Sequence, residues 1–266
     1  MRLAATALLL LLGACRVPNV LPILSAPPEP PFPEGWTVLD LTRPLDKDAP
    51  FVPHAEAFPF ERVDFLKVRD TGWRTGGYSG TEHMGTHVAS SLARLPVGDP
   101  VQTIPGAQLL LPVVVIDCPD AAKAGGAVTA ADVQADERAH GAVPAGSIVL
   151  LRTGRGALAS SDPLLLGRRS DGSVSFPGWN DDAVRDLALE RRVRAVGTDT
   201  MAVDPGSRAR EAPAQSAGSA AGLWFVAGLA DLSRLPQRGA LLVVGAIPLV
   251  GAAGAPARVL ALVPPR

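Results

Sequence analysis

The chain has 266 residues, of which 47% are hydrophobic and 19% are charged, and its formal net charge is −1. This length and hydrophobicity can supply the core of one large domain or of two small ones. A nucleic-acid-binding protein would show a basic excess, so the near-neutral charge excludes nucleic acid from the expected partners. Aromatic residues make up only 5% of the chain, so Val, Leu and Ala must fill the core.

The N-terminus has the pattern of a bacterial lipoprotein signal. Arg2 precedes an apolar run over residues 3–12, which is too short to cross a bilayer. The run ends in the lipobox-like sequence LGAC at residues 12–15. We predict removal of residues 1–14, acylation of Cys15 and attachment to a membrane of the bacterial cell envelope. The alternative is an ordinary secretory signal that happens to contain a cysteine.

A linker and one globular domain are predicted to follow the signal. Residues 15–34 form the linker, because seven prolines between positions 18 and 33 favour an extended polyproline conformation. Residues 35–266 have the composition of a globular domain. If Cys15 is lipidated, Cys118 has no partner for an intramolecular disulfide. Cys118 follows the apolar run 113–116, which predicts a buried and unreactive thiol.

The domain mixes short strands with a few helices. Runs rich in Val and Leu, bounded by Gly, Pro or Asp, predict seven strands: Thr37–Leu41, Arg62–Val68, Leu109–Ile116, Ile148–Arg152, Val193–Val196, Leu241–Ile247 and Val259–Val263. Thr129, with Asp132 in the reciprocal position, predicts the start of a helix that reaches about His140. Asn180 is predicted to cap a second helix that ends near Arg191. This mixture predicts an α/β or α+β fold.

Two of the four histidines stand close together in the sequence TEHMGTH at residues 81–87. His83 and His87 are four residues apart, which on a helix would place them on one face. Gly85 and Thr86 favour a tight, non-helical segment instead. Spacing alone is weak evidence for a metal site, because pairs of histidines at this spacing also arise by chance.

The segment around these histidines resembles the signature of the cyclase family of metal-dependent hydrolases, H-x-G-T-H-x-D-x-P-x-H. Further segments resemble the same family in the same order: VQTIP at 101–105, LPVVVID at 111–117, SIVLLRTG at 147–154, FPG at 176–178, GTDT at 197–200, DPG at 204–206, LADLSRLP at 229–236 and APARV at 255–259. The resemblance covers residues 37–264. It implies one α/β domain of the cyclase type, similar to a swivelling β/α/β domain.

The family includes kynurenine formamidases and isatin hydrolases, and the resemblance therefore implies their chemistry. A divalent metal, zinc or manganese, activates water that opens an amide or lactam C–N bond, since a bound dication lowers the pKa of its water and polarises the carbonyl. The family often forms dimers, which implies a homodimer here. A small molecule is the expected ligand.

Only part of the family's site is present in this sequence. The first two signature histidines correspond to His83 and His87, but the signature aspartate corresponds to Ala89 and the last histidine to Ala93. Two neutral imidazoles bring no negative charge to a dication, and catalytic zinc sites usually have three protein ligands. The resemblance therefore implies residual, weak metal binding at His83 and His87, with metal weakly held or absent.

The second half of the family's site is also altered. A later histidine of the family corresponds to Gln215 and a glutamate to Ala227, so four of the six polar site residues are replaced. The side chains that could replace a lost ligand are Glu82, Asp199 and Gln215. For Asp199, hydrogen bonding within its own loop is the favoured interpretation. We therefore expect a pocket that contains Glu82, Ala89, Ala93, Asp199, Gln215 and Ala227.

Three functions remain open at this point. The favoured hypothesis is a pseudoenzyme, a lipid-anchored domain that keeps the pocket and binds a small molecule or a partner. The second is an active metal-dependent amidohydrolase, similar to kynurenine formamidase, with a rebuilt metal site. The third is a non-catalytic structural protein of the envelope. A fold by itself does not confer activity.

The lipobox yields the first testable prediction. Cys15→Ala removes the acylated residue, so we expect the variant to leave the membrane fraction while the unaltered protein stays in it. Fractionation of cells that express each form, followed by immunoblotting, measures the difference. An unaltered protein found in the soluble fraction, as the variant is, would contradict the lipoprotein hypothesis.

Overall fold

The computed structural model describes residues 33–265 of the chain. The predicted signal peptide, Cys15 and nearly all of the predicted linker lie outside the described residues. Within residues 33–265, no helix combines the length and the apolar character that crossing a membrane would require.

The domain contains twelve strands, five α-helices and five short 3-10 helices within the described range. The strands are β1 Thr37–Asp40, β2 Glu61–Leu66, β3 Thr75–Ser79, β4 His87–Ala89, β5 Leu110–Asp117, β6 Ala127–Val128, β7 Ile148–Arg152, β8 Gly178–Trp179, β9 Ala195–Thr198, β10 Trp224–Ala227, β11 Ala240–Ala246 and β12 Gly254–Val263. The α-helices are α1 Val68–Thr71, α2 Ala130–His140, α3 Pro163–Leu166, α4 Asp181–Leu189 and α5 Pro213–Ala220. The 3-10 helices are Ser91–Ala93, Val101–Thr103, Gly106–Gln108, Arg155–Ala157 and Gly206–Arg208.

Eight strands form one sheet in the order β1-β12-β11-β5-β7-β9-β10-β4. Strand β4 pairs with β10 on one side and with β12 on the other, so the sheet closes into a barrel. Strands β5, β7, β9 and β10 run parallel and are joined through helices, as parallel pairing requires. The predicted single α/β domain is confirmed, with a barrel sheet at its centre.

Two hydrophobic cores share the barrel wall, because successive side chains of a strand point to opposite faces. On β5, Val113 and Val115 belong to the inner core, which also includes Val88. Val114 and Ile116 belong to the outer core, which the helices cover. Residues 113–116 of β5 are therefore buried on both faces of the sheet, which explains why they appear in the sequence as a continuous apolar run.

The predicted helices begin near the expected positions but not always for the expected reason. Thr129 and Asp132 form the predicted capping box of α2. Asn180 stands at the N-cap of α4, but its side chain makes no capping hydrogen bond, and that part of the prediction is wrong. The Asp182 carboxylate accepts the N–H of Ala183 at 2.7 Å instead. The helix also ends at Leu189, before the predicted Arg191.

Several elements gave no clear signal in the sequence. The predicted strand 193–196 begins at Ala195 instead, and β12 begins five residues before the predicted Val259. Strands β4 and β10 have only three and four residues, which is too short for a clear pattern in the sequence. Their pairing with neighbouring strands of the barrel holds them in the extended conformation. Helix α5 consists largely of Ala, Ser and Gly, so it has no amphipathic pattern to detect.

The close packing of the barrel yields a stability prediction. A methyl group added at Gly197 would meet the side chains of Val226 and Leu150 at 2.5 and 2.7 Å. We expect Gly197→Ala to lower the free energy of unfolding by about 2 kcal/mol, since overpacking a core commonly costs ~1–3 kcal/mol. Gly106→Ala is the matched control, because its methyl group would meet no atom within 4 Å. Urea denaturation measures both, and equal stabilities would contradict the packing argument.

Candidate functional site

A cavity of about 610 Å³ lies on the outer face of the barrel, beside β4 and β10. The loop before β2, the 3-10 helix Ser91–Ala93, the segment 201–212 and the start of α5 supply most of the remaining wall. Its lining includes His83, His87, Ala89, Ala93, Gln215 and Ala227. The sequence resemblance predicts that these six positions correspond to the polar site residues of the resembling family, and the fold brings all of them to one cavity.

The register of β4 against β10 explains why three of these residues meet. Ala227 lies directly opposite His87, and Phe225 lies opposite Ala89. His87 and Ala89 are two residues apart on one strand, so both face the cavity while Val88 points into the barrel.

The two histidines are in contact but differ in their anchoring. Their ring centroids are 5.2 Å apart and the rings are nearly perpendicular. The His87 Nδ1 atom lies 3.1 Å from the backbone oxygen of Gly85, so it donates the hydrogen bond and leaves Nε2 unprotonated. His83 precedes the strand and is partly exposed.

Gln215 is held in the cavity wall by a buried carboxylate. Asp204 accepts the backbone N–H groups of Ala214 and Gln215 at 2.7 and 3.1 Å, which fixes the first turn of α5. Burial raises the pKa of Asp204 to about 6, and these two hydrogen bonds oppose the increase. The side-chain amide of Gln215 has no hydrogen-bond partner within residues 33–265 and lines the cavity.

Two residues that were predicted in the pocket do not line it. The Glu82 carboxylate accepts the backbone N–H groups of Ala253 and Gly254, both at 3.0 Å. Asp199 is fully buried and accepts hydrogen bonds from the backbone N–H groups of Thr153, Gly154 and Gly156. Both carboxylates therefore hold loops together, and the placement of Glu82 and Asp199 at the pocket is corrected.

The cavity also contains charged and titratable residues that the sequence did not indicate. His54 and Glu56 come from the loop before β2, and their side chains are 3.3 Å apart. Arg94 and Arg210 also line the cavity, and both are exposed at its mouth. No motif connects these four residues, and only the fold brings them together.

Comparison with known proteins identifies the family. The family model "Putative cyclase" matches residues 39–205. The chain belongs to the cyclase family. The isatin hydrolase of Roseibium aggregatum is 32% identical over 193 residues, which cover 69% of this chain and 72% of the relative.

Solved structures of similar proteins share the fold. Isatin hydrolase A from Labrenzia aggregata, bound to benzyl benzoate, is 30% identical, with a TM-score of 0.77 over 86% of this chain and 94% of its own. A protein from Bacillus stearothermophilus, described as a predicted metal-dependent hydrolase, is 23% identical, with a TM-score of 0.62 over 85% and 98%. The relatives of at least 30% identity are thus described as isatin hydrolases, and the likeness to the Bacillus stearothermophilus protein supports the fold alone.

The two cyclase-family histidines are uncharged at neutral pH. Burial, and to a smaller extent the neighbouring His83, lowers the pKa of His87 to about 3. Burial also lowers the pKa of His83, against the opposing charge of Glu82. Neutral imidazoles can bind a metal ion, but these two bring no negative charge to it.

The side chains present do not fit the metal of the cyclase family. Within residues 33–265, no group of three or more His, Cys, Asp or Glu side chains is placed to hold a metal ion. Ala89, Ala93 and Ala227 have no donor atoms, and the amide oxygen of Gln215 is a weak ligand for a transition metal. Weak residual binding of a metal ion at His83 and His87 stays a prediction.

Asp199 and Gln215 provide a test of which residues are structural. Asp199→Ala leaves three buried N–H groups without an acceptor, so we expect a loss of about 3 kcal/mol or more in the free energy of unfolding. Gln215→Ala removes an unpartnered side chain and should change stability by less than about 0.5 kcal/mol. Denaturant titration measures both. A larger loss for Gln215→Ala than for Asp199→Ala would contradict these assignments.

Proposed function

We propose that this chain is an envelope lipoprotein whose cyclase-family domain binds a small molecule and has little or no hydrolase activity. The single observation that carries the proposal is the composition of the cavity. Six positions that the resemblance assigns to polar site residues line it, and four of them are occupied by Ala89, Ala93, Ala227 and Gln215.

The chemistry of hydrolysis needs groups that this cavity lacks. A metal-activated water requires a firmly held dication, and catalytic zinc sites usually have three protein ligands. Ala89 supplies no carboxylate to bridge or neutralise a metal. Ala93 supplies no group to move a proton to the leaving nitrogen. His83 and His87 remain, but without these partners they favour binding over turnover.

The retained cavity favours a binding protein over a purely structural one. Its volume of about 610 Å³ is in the range of small-molecule sites. The lining combines apolar side chains with a few polar groups, a composition that suits an amphiphilic ligand.

The second candidate is a hydrolase with a rebuilt metal site. His54 favours it, because this third histidine lines the same cavity as His83 and His87. The positions of Glu82 and Asp199 argue against this second candidate, because their carboxylates accept backbone N–H groups away from the cavity. Metal content separates the two candidates.

The unaltered protein provides the decisive measurement. We expect well below one metal ion per chain after purification without chelator, because two neutral histidines hold a dication weakly. We also expect little or no turnover of isatin or N-formylkynurenine, with or without added zinc or manganese. Elemental analysis and product chromatography measure the two properties. About one metal per chain together with turnover would overturn the proposal.

Restoring the family's side chains tests the cause. The combined variant Ala89→Asp, Ala93→His, Gln215→His and Ala227→Glu should bind zinc or manganese near stoichiometrically. We expect the metal content to recover more fully than the rate of hydrolysis, because the residues that orient the metal ligands can also have changed. The matched control adds His83→Ala and His87→Ala to the same four substitutions and should lose the metal again. A four-residue variant that binds no more metal than the unaltered chain would contradict the correspondence of these positions.

A further inference from the structure

The charged side chains around the cavity leave it with a cationic excess. Apart from the histidines, they are Arg94, Arg210 and Glu56. The family positions that carry an aspartate and a glutamate hold Ala89 and Ala227, so two negative charges are absent from the wall. Two guanidinium groups and a single carboxylate therefore line the cavity. The Asp204 carboxylate also acts on Arg94, but it lies outside the lining and its oxygens accept backbone N–H groups of α5.

Arg94 is held in place with part of its guanidinium unused. Its Nε donates to Ser216 Oγ at 3.0 Å, and its Nη2 donates to the backbone oxygen of Glu211 at 2.5 Å. These bonds fix the group to α5 and to the loop before it. Nη1 has no hydrogen-bond partner within residues 33–265, so it can donate to a ligand.

Arg210 has no ion pair or hydrogen bond to any side chain in the described part of the chain. The pKa of Glu56 is lowered mainly by its hydrogen bond with His54. The positive charge of Arg210 lowers this pKa only slightly further. Arg208, two residues earlier, pairs with Glu211 at 3.7 Å and does not line the cavity. Arg210 therefore lines the cavity without an ion pair among the described residues, whereas Arg208 is paired outside the cavity.

The inner part of the cavity is largely apolar, with His87 as the polar side chain on β4. Ala89, Ala227 and Phe225 form the wall on β4 and β10, and Met201 and Val203 extend it. All five side chains are buried. An apolar body of a ligand would remove this surface from water, which is favourable at about 25 cal/mol per Å².

We infer that the cavity binds a small organic monocarboxylate, whose apolar body lies against Phe225 and the alanines and whose carboxylate is held by Arg94 and Arg210. The inference rests on the proposed function, because it takes the cavity as a site without a resident metal. Guanidinium groups pair with carboxylates through charge-assisted, often bidentate hydrogen bonds. The excess of one positive charge matches a monoanion, whereas a phosphate monoester would bring a second, uncompensated charge.

The test compares ligands that differ only in charge. The full chain in detergent is treated with chelator, dialysed and titrated by calorimetry with 2-naphthoate, 2-naphthamide and 2-naphthyl phosphate. We expect 2-naphthoate to bind about tenfold or more tightly than the amide, as one charge-assisted hydrogen bond would give. The preference should decrease at high salt, since both arginines are exposed at the mouth.

Substitutions then assign the preference to the two arginines. Arg94→Gln and Arg210→Gln should each weaken the binding of 2-naphthoate by about fivefold to tenfold and leave the affinity for 2-naphthamide unchanged. Arg208→Gln is the matched control and should change neither probe. Ala93→Phe fills the cavity and should abolish binding of both probes, which locates the site.

The outcomes separate this inference from the proposed function. About one metal per chain with turnover, measured before chelation, overturns the proposed function. A metal-free protein that binds the amide as well as 2-naphthoate, or that binds neither, overturns the inference alone. If 2-naphthyl phosphate binds more tightly than 2-naphthoate, the ligand is not a monocarboxylate. An equal effect of Arg208→Gln and Arg210→Gln overturns the assignment to the cavity.

Discussion

The candidate site depends on the pairing that closes the barrel. Strand β4 has three residues, and it pairs with β10 through His87↔Ala227 and with β12 through His87↔Pro256. Thr86, just before this strand, donates its hydroxyl to the Gly228 backbone oxygen at 2.7 Å and accepts the backbone N–H of Arg43. This closure sets the position of every group on β4 and β10. Chemistry at the cavity is therefore tied to the integrity of the barrel.

The cyclase-family segments that this chain retains have structural roles. Asp199, in the GTDT segment, binds the backbone of the RTG segment at Thr153 and Gly154. Asp204, in the DPG segment, fixes the start of α5. These carboxylates are buried and hydrogen-bonded, so losing them would leave unsatisfied backbone groups in the interior. Ala89, Ala93 and Ala227 line the cavity without hydrogen-bonding side chains, so the fold does not depend on a polar group at these positions.

The replacements change the electrostatic character of the cavity as well as its ligand set. In a metal-dependent hydrolase, acidic side chains balance a dication. With Ala89 and Ala227 in their place and no fitting metal site in the described residues, the arginines at the mouth become the dominant fixed charges. This balance of charge is the basis of the inferred preference for an anion. The apolar wall supplies the remaining affinity.

The sequence by itself determined the buried strands, the capped helix and the family. The runs at 110–117 and 148–152 are apolar on both faces, and the capping box at Thr129 is local, so neither needs distant contacts to be recognised. It also identified six positions of the cavity, but only through the resemblance to the cyclase family.

Tertiary structure alone decided the rest. It formed strands from segments as short as β4, separated Asp199 from the cavity, and brought His54, Arg94 and Arg210 to its mouth. The physical reason is that these placements depend on barrel closure and on loops far apart in the chain. No local pattern of residues encodes that proximity.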